Sequence, residues 1–142
     1  MLIFQNDTLE NLYSHAETEY PQECCGILLG LRKAGKRIVY SVIQTENTAD
    51  EKQKDTHFLI KPLDVLKAET SAEKEQLEIV GFYHSHPDYD AIASDEDILH
   101  MVSGHSYPIV SVKNGVRVNV RCFEKILQTD TCTQEEILMK EK

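Results

Sequence analysis

Two histidines, His84 and His86, stand one residue apart at the end of an apolar run that Pro87 stops. A polar loop follows and delivers Ser94 and Asp97 just before Ile98, Leu99 and Met101. If Leu77–Tyr83 is a strand, side-chain period two sends both imidazoles to one side as it ends, near enough to share an ion. Two imidazoles and one later carboxylate make a three-ligand set. Such a set leaves a fourth tetrahedral position for water, the arrangement of a catalytic rather than a structural zinc. With only one anionic ligand the bound ion remains a net cation, able to bring its water's pKa to about 7 and to polarise a carbonyl.

Each part has a plainer meaning by itself. Ser94-x-x-Asp97 ahead of an apolar run is also an ordinary capping box. A His-x-His pair occurs on many surfaces, and Asp88 and Asp90 read as solvated turn residues. The conjunction of strand-ending histidines, loop and carboxylate-bearing helix start carries the metal reading. Hydrolysis also needs a base that reaches the water without occupying the ion, so it must come from another element. Glu23, just before the apolar run Cys24–Leu31, is the best-placed candidate, with other carboxylates left open. His15, His57, His100 and His105 are given no metal role, whereas Tyr89 and Asp90, in the loop between ligands, are candidates for touching substrate.

The elements that must position these residues can be read in order. Asp7 is placed to cap a helix over Thr8–Glu19, with Glu10 as its reciprocal partner and Leu9, Leu12, Tyr13 and Ala16 as its apolar stripe. Cys24–Leu31 is apolar on both faces, and the turn Lys33-Ala34-Gly35-Lys36 leads to an alternating strand Arg37–Gln44, a hairpin. Thr45–Thr56 is polar and aperiodic, a loop of a length that is often functional. A short strand His57–Ile60 is expected next, then a helix from Pro62 to about Gln76. Later, Pro108–Val112 and Val116–Phe123 flank Lys113-Asn114-Gly115, a strong hairpin signal. The tail Gln134–Lys140 reads as a helix or an added strand. Strands and helices alternate early and a hairpin comes late, which predicts an α/β protein whose mixed sheet is covered by helices on both faces.

A length of 142 residues fits one domain spanning 1–142, which buries roughly two-thirds of its unfolded surface without needing staples. Fifteen Lys and Arg against 24 Asp and Glu give a net charge of −9, which argues against a nucleic-acid partner held through phosphates. No signal-peptide pattern and no membrane-length apolar run is present, so a cytoplasmic, soluble protein is expected. Four cysteines without any C-x-x-C pair read as small buried hydrophobes of a reduced protein, with Cys24 and Cys25 facing opposite sides.

His84-Ser85-His86-Pro87, then Ser94, then Asp97, resembles the signature of the JAMM (MPN-plus) zinc metalloprotease family, H-x-H-P-x(6)-S-x-x-D. The upstream stretch from Tyr20 to Gly30 is similar to the glutamate-bearing segment of that family's small prokaryotic branch. Helix, glutamate strand, second helix, histidine strand and capped helix follow in the family's order over most of the chain. The resemblance implies an α-β-α sandwich related to cytidine deaminases. It implies one zinc held by His84, His86 and Asp97, with Glu23 moving the proton and Ser94 stabilising the oxyanion. Every motif position is filled, unlike the metal-free scaffold relatives. The implied activity is cleavage of a peptide or isopeptide bond at the C-terminal tail of a ubiquitin-like or sulfur-carrier protein, the tail lying extended beside the sheet. Two other readings stay open: a non-catalytic module that binds a ubiquitin-like partner, and a zinc amidase for another substrate.

Overall fold

The computed structural model describes residues 1–140. Among these described residues, eight strands form one mixed sheet: β1 (Leu2–Gln5), β2 (Cys25–Lys33), β3 (Lys36–Thr45), β4 (Glu78–Pro87), β5 (Tyr107–Lys113), β6 (Val116–Lys125), β7 (Cys132–Glu135) and β8 (Ile137–Lys140). Their spatial order is β7-β6-β5-β4-β2-β3-β1-β8. The β4–β5, β1–β3 and β1–β8 pairs are parallel and the others antiparallel. Strands β7 and β8 lie at opposite edges of the sheet yet are separated in sequence by Glu136 alone. The sheet therefore curls until its edges approach, helped by bulges at Leu28–Gly30 and Ser111–Val112.

Period two sorts the strand side chains between two faces. On one, Leu28, Val80, Tyr83 and Val110 pack with Leu12 and Ala16 of α1 (Thr8–Glu19). On the other, Ile27 and Leu29 meet Ala68 and Ala72 of α2 (Pro62–Lys74), with Ile79 and Phe82 alongside. Tyr107, Ile109 and Phe123 on that same side pack with Met101, just past the short helix α3 (Asp95–His100). Helices cover both faces, the expected α-β-α arrangement. Among the described residues no helix is long and apolar enough to cross a membrane.

Both hairpins form where expected. Ala34-Gly35 and Asn114-Gly115 all have positive φ, the type I′ geometry that matches strand twist. Pro62 starts α2 at its first turn, where its missing N–H costs nothing. The tail forms strands rather than a helix.

Three local expectations are corrected. Asp7 makes no side-chain cap bond, and Glu10 turns away from it to Arg117, which also holds Glu17 and lies over the Tyr13 ring. A charged partner distant in sequence outcompetes the local box. Residues 57–60 are extended but not a strand. They are tied instead by Asn47, whose Oδ1 accepts the Leu59 N–H and whose Nδ2 donates to the His57 carbonyl. β4 runs on through Pro87, so the two histidines lie within the strand rather than past its end.

Candidate metal centre

The parallel pairing of β4 with β5 and its antiparallel pairing with β2 hold the backbone at His84–His86 from both sides. Ser85 faces α1 and accepts the Cys24 N–H at 2.8 Å, while the two imidazoles point to the α3 side. His84 and His86 are almost fully buried. Ser94 N-caps α3 and brings Asp97 to meet them. Its Oγ accepts the Asp97 N–H and its own N–H donates to Asp97 Oδ2, both at 3.0 Å, a complete capping box. The plain reading of Ser94-x-x-Asp97 and the metal reading therefore hold together: one carboxylate starts the helix and faces the histidines.

His84 Nε2 and His86 Nε2 are 3.2 Å apart, His84 Nε2 is 3.2 Å from Asp97 Oδ1, and His86 Nε2 is 3.1 Å from Asp97 Oδ2. A tetrahedral ion with bonds of about 2.0–2.2 Å sets its ligand atoms roughly 3.3–3.6 Å apart. The triangle is a few tenths of an ångström tighter than that. The donor chemistry fits as well. His86 Nδ1 lies 2.7 Å from the Asp90 carbonyl, an acceptor, so in the neutral ring Nδ1 carries the proton and Nε2 presents a lone pair. That lone pair faces a carboxylate oxygen and a second imidazole nitrogen, a donor set of the kind a divalent cation takes. The Nδ1–carbonyl bond is also what orients most metal-ligating histidines. Burial pushes the His84 imidazole down, against the pull of Asp97, so it is neutral and ready to ligate. Burial opposes ionisation of Asp97, but the two histidines and the Ser94 amide hold its carboxyl well below the usual range. Among the described residues, His84, His86 and Asp97 are the one such group of potential ligands.

Aromatic rings brace the histidines. Phe58 stacks on His84 with centroids 4.4 Å apart, and Tyr89 stacks on His86 at 4.1 Å. The Tyr89 hydroxyl donates to Glu23 Oε2 at 2.7 Å. Glu23 is 2% exposed. Its pKa is pushed up to about 8 by burial, against the Tyr89 bond and with Asp97, Glu96 and Asp55 adding to the rise. Its backbone is fixed by the Lys54 carbonyl, which accepts its N–H, and by Asn47 Nδ2, which donates to its C=O. The structure thus brings His84, His86, Ser94 and Asp97 together and links Glu23 to them through Tyr89.

Two further residues were not singled out by sequence. Phe58 and Asn47 lie on the polar loop and the extended segment, with no periodicity to mark them. Asp90 contributes through its carbonyl to His86, while its side chain pairs with Lys113. His57 holds no place in the triad but pairs with Glu96 at 3.0 Å. Cys24 and Cys25 are both buried, and burial lifts their thiols to about 12 and about 11, which leaves them inert.

A mixed sheet between helices thus carries a strand-borne His-x-His and a helix-borne Asp that could together hold a metal ion, with a buried Glu nearby. The family model for prokaryotic homologs of the JAB domain matches residues 5–123, and the chain belongs to that family. A Desulfitobacterium hafniense protein solved in solution is 30% identical, with a TM-score of 0.85 over 100% of this chain and 94% of its own. A Salinibacter ruber protein is 29% identical, with a TM-score of 0.75 over 96% and 90%. A JAB1/MPN domain protein from Archaeoglobus fulgidus shares the fold at 17% identity, with a TM-score of 0.62 over 99% and 98%. A Thermus thermophilus protein named "Probable TtuB-protein conjugate cleaving protease" is 37% identical over 90 residues, 63% of this chain and 56% of its own length. Tail tip assembly protein K of Escherichia phage N15 is 32% identical over 90 residues, 63% of this chain and 32% of its own. The chain thus matches 56% or less of the length of either curated relative.

Proposed function

We propose that this protein is a zinc-dependent peptidase or isopeptidase that cleaves at the C-terminal tail of a ubiquitin-like or sulfur-carrier protein, and that residues 1–142 form one catalytic domain. The observation that carries this reading is the close triangle of His84, His86 and Asp97 near a buried Glu23. The kinship with a protein named for cleaving TtuB conjugates supports the substrate class. His84 Nε2, His86 Nε2 and Asp97 would hold the ion. When bound, it supplies Lewis-acid polarisation of the scissile carbonyl and a water of pKa about 7.

The chain's own residues do the remainder. Burial pushes the Glu23 pKa up to about 8, so its carboxylate form is a stronger base for the proton of the attacking water. As the carbonyl carbon gains its C–O bond and loses its C–N bond, Glu23 returns that proton to the departing amine. The Ser94 oxygen is occupied as acceptor of the Asp97 N–H, which leaves its hydroxyl proton free to donate to the carbonyl oxygen as negative charge develops there. Phe58 and Tyr89 shield the outer faces of the imidazoles from water.

The test is intact-mass analysis of ubiquitin-fold carriers extended beyond their C-terminal glycine, incubated with zinc-loaded protein or its Glu23→Gln variant. Wild type is expected to cleave at the glycine. The variant should keep its zinc and lose roughly 10²–10⁴-fold in rate. If both forms bind zinc and carrier and neither cleaves, the protein is a binding module instead.

A further inference from the structure

His57 and His100, two histidines that spacing leaves without a metal role, both line a cleft that opens beside His84, Ser94 and Asp97. His57 belongs to the extended segment on one bank, and His100 ends α3 on the other. Glu96 of α3 lines the same cleft, and its Oε2 lies 3.0 Å from His57 Nε2, so that the pair joins the two banks. We propose that a second zinc-class cation binds here, between His57 Nε2 and the Glu96 carboxylate with His100 as third donor, and that its binding bars substrate from the metal triangle. The blocking step rests on the peptidase reading above; the site itself does not.

The His57 ring is oriented for such a role. The Thr56 hydroxyl donates toward the Gln53 carbonyl at 3.4 Å, so its oxygen is free to accept the His57 Nδ1 proton across 2.8 Å. Nε2 then turns a lone pair to Glu96, the outer-partner arrangement that aims metal-ligating histidines. An imidazole nitrogen and a carboxylate oxygen this close are joined by a proton or by a metal ion. Ligand atoms on one tetrahedral zinc stand roughly 3.3–3.6 Å apart, so a shift of a few tenths of an ångström admits the ion, and the proton leaves to solvent. The backbone at His57 is fixed meanwhile. Its N–H donates to the Gln53 carbonyl at 2.7 Å, and its own carbonyl accepts from Asn47 Nδ2 at 3.0 Å.

His100 stands four residues after Glu96, the spacing at which two side chains of one helix face can chelate a single ion. It is exposed, so it can swing toward Glu96 without leaving a packed position. His57 and Glu96 are also open to solvent, which supplies the fourth ligand. Among the described residues no lysine or arginine lines the cleft to repel a cation, and a net charge of −9 draws cations to the protein. The filled triangle, itself a net cation, opposes a second ion nearby. The triangle therefore fills first, and this site binds more weakly. An ion held from both banks ties the extended segment to α3 beside Ser94 and closes the cleft as a path to the triangle.

The test titrates further Zn2+ into full-length protein already holding one zinc, with isotope-labelled histidine ring nitrogens. A second equivalent should bind at micromolar zinc and shift the nitrogens of His57 and His100 while those of His15 and His105 stay in place. His57→Gln and His100→Gln should each weaken the second equivalent by roughly tenfold or more and retain the first. Cleavage of an extended carrier should fall in step with the second equivalent, return when a weak chelator withdraws it, and resist excess zinc in His57→Gln. The proposal is overturned if no second equivalent binds up to millimolar zinc, or if it binds without moving the His57 nitrogens. It is equally overturned if His57→Gln binds it as tightly as wild type, or if the carrier is cleaved undiminished with the site filled. A second ion at His57 in a protein that cleaves no carrier at any zinc level removes the peptidase reading, and the blocking step with it, and leaves the site standing.

Discussion

The Tyr89 hydroxyl donates to Glu23 Oε2 at 2.7 Å while the same ring lies on His86, with planes 15° from parallel. One side chain thus joins the buried carboxylate to a member of the metal triangle, and its own carbonyl is anchored by the Ser111 hydroxyl at 2.7 Å. The hydroxyl acts on Glu23 and the ring acts on His86, so the two roles separate in a single substitution.

Tyr89→Phe keeps the ring and removes the donor. Burial already raises the Glu23 pKa to about 8, and the lost bond had favoured the charged form. The pKa therefore rises further, and the ascending limb of kcat/KM against pH should move to higher pH. Zinc stoichiometry should be unchanged. A profile that stays in place would show that Tyr89 does not govern the base.

Asp97 and Ser94 answer different questions. Asp97→Asn retains an oxygen to accept the Ser94 N–H but loses the anion between the histidines. Zinc affinity should fall by more than the roughly 10–100-fold typical of losing an outer partner, with the melting temperature of the zinc-free protein little changed. Ser94→Ala should do the reverse. It should cost about 1 kcal/mol of helix-cap stability and up to roughly 10²–10³ in turnover, with zinc retained. Competition with a chromophoric chelator and thermal melts would check both.

The raised Glu23 pKa also makes zinc-free stability depend on pH. The folded value is about 8 against an ordinary 4.5, so the native state holds a proton that the unfolded chain has released. The stabilisation is full below the ordinary value and is lost as pH rises through the folded one. Between pH 7 and 9 this amounts to about 1 kcal/mol. The lowered pKa values of His15 and His84 act below that window, where stability instead grows with pH. Urea midpoints should therefore decline from pH 7 to 9, and Glu23→Gln should flatten the decline.

Gly26→Ala tests the wall behind the site. A Cβ there would lie 2.3 Å from the Tyr83 ring. That ring is fully buried, and its hydroxyl is 2.8 Å from His15 Nδ1. With nowhere to move, the clash should cost roughly 1–3 kcal/mol. Because Tyr83 immediately precedes His84, zinc affinity should drop with it, as denaturation and metal titration would reveal.

Much of this architecture was legible in the sequence because local rules agreed with the global fold. Ala34-Gly35 and Asn114-Gly115 specify their turns, Pro62 starts its helix, and period two alone sends His84 and His86 to one face. Glu23 was harder: its place just before an apolar strand made it the best-placed candidate, but other carboxylates stayed open until the family resemblance favoured it. What escaped was set by distant partners. Glu10 is drawn from its local cap by Arg117, and residues 57–60 are held by Asn47 instead of a neighbouring strand. The short run Leu2–Phe4 gave no strand expectation, because its partners come from residues 37–39 and 137–140.

That last pairing bears on how the chain folds as it is made. β1 is made before β2 to β8 but lies between β3 and β8, and β8 is separated from β7, at the far edge, by Glu136 alone. During synthesis the glutamate strand, the histidine strand and the carboxylate helix can all assemble while β1 still lacks its outer neighbour. The metal triangle can therefore form before the sheet is complete. An ion captured by the nascent chain would stabilise the central strands while their outermost partner is still being made.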